Sequence, residues 1–199
     1  AFVEPLAVAV HAVKRFQGLQ DKSVLVLGAG TIGNLTAQTA KALGASKVMI
    51  TDLSNSRLAL ASSAGIEHPV NPSRADLAAE VYRVFGADKM DAIFEAVGVQ
   101  ATIDQALTLS RKGGDIIIIG VFGKKPEVDL GLLQDRELRM TGTLMYLEED
   151  YKTAIRLLSE KKIHTDSLIT NRFQFEDYIQ AYEFIEQAAD EAMKVMVEV

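Results

Sequence analysis

Short, uninterrupted apolar runs alternate along this chain with longer stretches in which apolar residues return every three or four positions. Val24 to Leu27 is continuously apolar and partly β-branched, which suits a strand buried on both faces. Lys47 to Thr51, with Val48-Met49-Ile50 as its core, Met90 to Glu95 and Asp115 to Ile119 read as further strands, with a shorter one at His68 to Val70 and another at Arg139 to Thr143. Between them the spacing predicts helices over Leu6–Phe16, with Pro5 in the first turn, and over Thr31–Leu43, ended by Gly44. Further helices are expected over Asn55–Ala64, capped by Ser54 and stopped by Gly65, then Arg74–Phe85 and Thr102–Leu109. Right-handed crossovers put helices on both faces of a parallel sheet, so the alternation predicts an α/β, doubly wound parallel sheet of about six strands.

After Leu147 the pattern changes. Glu148–Lys161 and Glu176–Ala188 read as amphipathic helices, and Lys194–Val199 as a terminal strand that needs a neighbour and is expected in a different sheet. The expected organisation is a leading helix over 1–16, a ligand-binding domain over 17–147, and a C-terminal portion over 148–199.

Composition narrows the partners. The chain has 199 residues, 48% of them hydrophobic, which is enough for a substantial core. A formal charge of -6 argues against nucleic acid, and the absence of cysteine removes disulfides and thiolate metal sites. No apolar run reaches membrane-spanning length and no signal-peptide pattern opens the chain, so a cytoplasmic location is expected, with no membrane partner. The chain starts Ala-Phe-Val-Glu-Pro rather than with Met, and the expectation is that it begins partway along a longer protein.

The chemistry concentrates in Gly28-Ala29-Gly30-Thr31-Ile32-Gly33, between a strand and a helix. A pyrophosphate needs backbone N–H groups and the positive end of a helix at close range, and side chains would block it. Gly28 permits the tight turn, Gly30 the approach of phosphate, and Gly33 the packing of helix on strand. Asp52 ends the next strand, where a carboxylate accepts hydrogen bonds from ribose hydroxyls and repels a 2′-phosphate, favouring NAD over NADP. Its alternative role is that of a turn or capping carboxylate. Arg57 is placed to stack beside adenine, to pair with Asp52, or to stand as an ordinary helix residue. Later strand ends face the same crevice, making Glu95-Ala96-Val97-Gly98 and Ile119-Gly120-Val121-Phe122-Gly123 its other candidate walls, with Val97 and Val121 on the nicotinamide side; alternatively their glycines serve backbone geometry alone.

The segments Glu4 to Val13, Val24 to Gly33 and Thr51 to Leu58, followed by Arg136-Glu137-Leu138, Thr141-Gly142-Thr143, Lys162-Ile163, Leu168-Ile169-Thr170 and Phe173, together resemble the zinc-containing medium-chain dehydrogenases. The sorbitol, threonine and butanediol dehydrogenases are the branch they most resemble. That resemblance implies a Rossmann sheet plus a C-terminal helix–strand fragment, from about Phe175, belonging to a catalytic domain that lies outside this chain. It also implies zinc in the complete enzyme but not in this chain, an alcohol substrate, and a homodimer or homotetramer using the strand near Arg139. Glu4 matches an acidic residue that lies near zinc in the polyol branch and is the one catalytic candidate. His11, His68 and His164 are too far apart in sequence to make a metal site obvious.

Thr31 replaces a frequent proline, Asn34 a frequent aliphatic residue, and Tyr146 falls where a polyol dehydrogenase places an arginine, which favours a simpler secondary alcohol or diol. The expected reaction of the complete enzyme is hydride transfer, with this chain by itself inactive. The competing expectations are an NADPH-dependent quinone reductase and a non-enzymatic nucleotide-sensing domain.

Overall fold

The computed structural model describes residues 1–188 and 191–199. In chain order its elements are α1 (Val3–Lys14), β1 (Ser23–Leu27), α2 (Thr31–Ala42), β2 (Lys47–Thr51), α3 (Asn55–Ser63), β3 (His68–Val70), α4 (Leu77–Phe85) and β4 (Ala92–Glu95). These are followed by α5 (Gln100–Leu109), β5 (Asp115–Ile118), α6 (Leu130–Asp135), β6 (Arg139–Gly142), α7 (Glu148–Ser159), β7 (Ile169–Gln174), α8 (Tyr178–Ala188) and β8 (Lys194–Glu198). The predicted α4 start moves from Arg74 to Leu77 because the Asp76 carboxylate caps the helix there, accepting from the N–H groups of Ala78 and Ala79. Two elements, α6 and β7, were absent from the sequence expectation. The first is six residues long and buries none of its side chains, so no apolar stripe announces it.

Six strands form one wholly parallel sheet in the order β3-β2-β1-β4-β5-β6. The order reverses between β1 and β4, which opens a crevice at the C-terminal ends of the central strands. Alternate side chains point to opposite faces, so each apolar strand feeds two cores at once. Val24, Val26, Val48, Ile50, Phe94 and Ile117 pack on one face with α1, α2 and α3. Leu25, Leu27, Met49, Ile93 and Ile116 pack on the other with α4 and α5. The unbroken apolar character of these strands is thus a requirement of burial on both sides.

A third cluster joins α1 to α2 and α7 through Leu6, Val10, Leu35, Ala154 and Leu157. Inside this contact the buried carboxylate of Asp150 accepts from Lys14 Nζ at 2.8 Å, from the Leu147 N–H at 2.9 Å, and meets His11 Nδ1 at 2.7 Å. Burial pushes the Asp150 carboxyl up, but the bonds from Lys14, Leu147 and His11 outweigh it and hold the group below its ordinary value.

The terminal strand β8 does belong to a separate sheet, pairing in parallel with β7. Helix α8 lies against this pair, with the rings of Phe173 and Phe184 5.8 Å apart. Among the described residues no helix is long and apolar enough to cross a membrane.

Candidate functional site

The parallel register sets Thr51, Leu27, Glu95 and Ile118 side by side at the ends of β2, β1, β4 and β5. The residues that follow them therefore emerge along one edge. The hydrogen-bond ladder continues one step past the strands, from Gly28 N–H to Thr51 O at 2.9 Å, Ala96 N–H to Leu27 O at 2.9 Å and Ile119 N–H to Glu95 O at 2.8 Å. This extension holds the three turns at a common height.

Gly28 has φ +99°, a conformation L side chains rarely adopt, and a Cβ there would lie 2.7 Å from Val97 Cγ2. At Gly33 a Cβ would run into the carbonyl oxygen of Gly28, so α2 can approach β1 this closely only without a side chain. Gly30 differs: an added Cβ would meet nothing within 4 Å. It stands at the N-cap of α2, where no capping side chain takes the first-turn N–H groups, and the space beside Gly30 is open. A helix N-terminus opening on space beside glycines is suited to an anion.

Asp52 reaches back to this turn. Its Oδ2 accepts from the Ala29 N–H at 2.8 Å and its Oδ1 from the Ser54 N–H at 2.9 Å. Those bonds aim the carboxylate at the edge between the glycine turn and α3. Arg57 lies on the first turn of α3, its N–H donating to the Ser54 Oγ cap at 3.4 Å. On the other side of β1, Val97 is 43% exposed and Val121 87% exposed, and both flank Gly98, which is buried.

Other sequence candidates are placed differently. Ile32 is half-buried on the first turn of α2, and Phe122 packs against the core face formed by α4 and α5. The Thr31 hydroxyl donates to the Met193 carbonyl at 2.7 Å, so that side chain ties α2 to the segment before β8, leaving only its backbone for an anion. Glu4 is exposed on the first turn of α1. His11 is engaged with Asp150, and the backbone of His164 bonds to the Gln38 side chain, while His68 sits in β3. Among the described residues no three His, Cys, Asp or Glu side chains gather in a way that fits a metal ion. The side-chain role of Glu95, fully buried at the end of β4, was not anticipated. Its one sequence signal was a carboxylate closing an otherwise apolar strand.

Residues 31–160 match the family of zinc-binding dehydrogenases. The chain is 32% identical to bovine (Bos taurus) sorbitol dehydrogenase over 200 residues, covering 99% of this chain and 55% of that protein. It is similar to the crystal structure of 2R,3R-butanediol dehydrogenase from Bacillus subtilis, with a TM-score of 0.90 and 26% identity over 100% of this chain and 56% of that one. A structure from Sinorhizobium meliloti 1021, described as a zinc-binding dehydrogenase and bound to NADP, aligns with a TM-score of 0.88 and 30% identity, over 100% of this chain and 58% of that one. The chain thus spans little more than half the length of these relatives.

Proposed function

The chain belongs to the zinc-binding dehydrogenase family, and from that premise we propose that it binds a nicotinamide adenine dinucleotide along the strand-end crevice, NAD in preference to NADP. The observation that carries this is the Asp52 carboxylate fastened to the Ala29 N–H, because it joins a ribose acceptor to a phosphate cradle in one unit. The backbone at Gly30 to Gly33 receives the pyrophosphate, and Asp52 accepts from the adenosine ribose hydroxyls. Val97, Gly98 and Val121 form the wall on the nicotinamide side, and Arg57 lies toward the adenine. A 2′-phosphate brought to Asp52 would meet a carboxylate of like charge, which disfavours NADP. Bound there, the dinucleotide supplies the carbon that gives or accepts hydride.

For the complete protein, the sorbitol and butanediol dehydrogenase relatives support oxidation of a secondary alcohol, diol or polyol. The described residues offer no ligand set for zinc, so no step of that reaction is assigned to a metal held by them. Glu4 is the group of this chain we assign to face the remainder of the active site, and residues from about Phe175 onward are assigned to pack against the domain that carries it. The chain alone is accordingly expected to bind cofactor with little or no turnover. Association through β6, an edge strand of the larger sheet, is the proposed route to a dimer.

Fluorescence titration with NADH and NADPH tests the reading. NADH is expected to bind about tenfold more tightly or better, a difference of about 1.4 kcal/mol, and Asp52→Asn to narrow the gap to about threefold. Equal affinities in the unaltered chain would remove the NAD preference, and no binding of either would remove the dinucleotide reading. Turnover of a diol panel in the presence of zinc, at rates comparable to an intact dehydrogenase, would contradict the expected inactivity.

A further inference from the structure

Glu95 is fully buried, a placement that costs a carboxylate its hydration and is sustained only by hydrogen bonds. Three donors converge on Oε1: the N–H of Val97 at 2.9 Å, the N–H of Gly98 at 2.8 Å and the hydroxyl of Thr102 at 2.7 Å. Oε2 has no hydrogen-bond partner and lies beneath Gly120, where a Cβ would come within 2.5 Å of it.

Gly98, at φ +83°, is pressed against the Val121 backbone so tightly that a Cβ would clash with it. Val97 in turn touches the space over Gly28. The turn at residues 96–99 is therefore wedged between the glycine turn after β1 and the loop after β5, with Glu95 fastening it from below. The adenosine side of the crevice, Asp52 and α3, stands across β1 from this wedge.

We infer that Glu95 is a positioning residue for the nicotinamide half of the bound dinucleotide: its carboxylate sets the height of the Val97–Gly98 turn on which that half rests. This inference depends on the dinucleotide reading above. An alanine would leave the two backbone N–H groups without their acceptor, and the turn would relax toward solvent. A glutamine would keep an oxygen for both.

The test compares affinities of the chain for NADH and for AMP, which carries only the adenosine half, by calorimetric titration. Glu95→Ala is expected to weaken NADH about tenfold and AMP less than about twofold, whereas Glu95→Gln stays within about threefold of the original for both. Amide hydrogen exchange at Val97 and Gly98 is expected to quicken in the alanine variant. If Glu95→Ala does not fold, Glu95→Asp replaces it, since the shorter carboxylate withdraws from both N–H groups and is expected to produce the same selective loss of NADH. Equal losses for NADH and AMP in the variant that folds, or no loss for either, would overturn the inference. Failure of the unaltered chain to bind either ligand would instead overturn the dinucleotide reading and the inference with it.

Discussion

The six-stranded sheet and the β7–β8 pair are both parallel throughout yet stand in opposite situations. In β1 four of five residues are buried, whereas no residue of β8 reaches that state. Helix α2 buries eight residues and α8 only Ala181, leaving Tyr178, Ile179, Tyr182 and Ile185 exposed. The larger sheet is closed on both faces by its own crossover helices and so carries its own stability. A two-stranded sheet with one helix has too little interior to do the same and depends on what it is tied to. The contrast teaches that the crevice rests on a self-sufficient scaffold, while the C-terminal element presents an apolar surface that the described residues leave exposed.

The largest expected effect lies in the first region. Phe94→Ala empties a fully buried site in the centre of the sheet and is expected to cost about 3–5 kcal/mol in urea denaturation. A loss under about 1 kcal/mol would mean that the scaffold is far looser than its packing implies. An intermediate effect is expected where α7 is fastened to α1. Asp150→Asn should cost on the order of 2 kcal/mol near neutral pH, since it replaces a charged, buried acceptor of several part-buried hydrogen bonds.

The sign of its pH dependence follows from the depressed folded-state pKa of Asp150. The stabilisation is complete above the unfolded carboxylate value of about 4 and disappears as pH falls through the lower folded value. The stability gap between Asp150→Asn and the original chain should accordingly close on acidification, and a gap that widened would contradict the assignment.

The smallest effect sharpens the comparison most. Thr31→Val removes the hydroxyl that holds Met193 and is expected to lower amide-exchange protection in β7 and β8 by about 1 kcal/mol, with β1 unchanged. Equal loss of protection in β1 would show that the two regions open as one unit.

Much of the larger sheet was legible because the doubly buried part of a strand must be apolar throughout, and Val24 to Leu27 and Val48-Met49-Ile50 carry that requirement openly. The β7 strand was not, because Ile-Thr-Asn-Arg-Phe-Gln is half-exposed, mixed in polarity and paired with a distant segment. At the site, Gly28 and Gly33 were legible since close backbone approach leaves little choice of residue. Thr31 was read with the cofactor group, but its hydroxyl is taken by Met193, a partner 162 positions away that no local pattern reveals.

The sequence by itself determined which segments become buried strands, where the helix-opening glycine turn falls, and that a carboxylate ends the neighbouring strand, because burial period and backbone sterics act over a few residues at a time. Only the tertiary structure decided that Asp52 is held by Ala29, that Glu95 turns inward beneath Gly120, and that β7 and β8 make a sheet of their own. Those outcomes depend on which strand ends and loops the parallel register brings within hydrogen-bond reach, and that is a property of the assembled sheet.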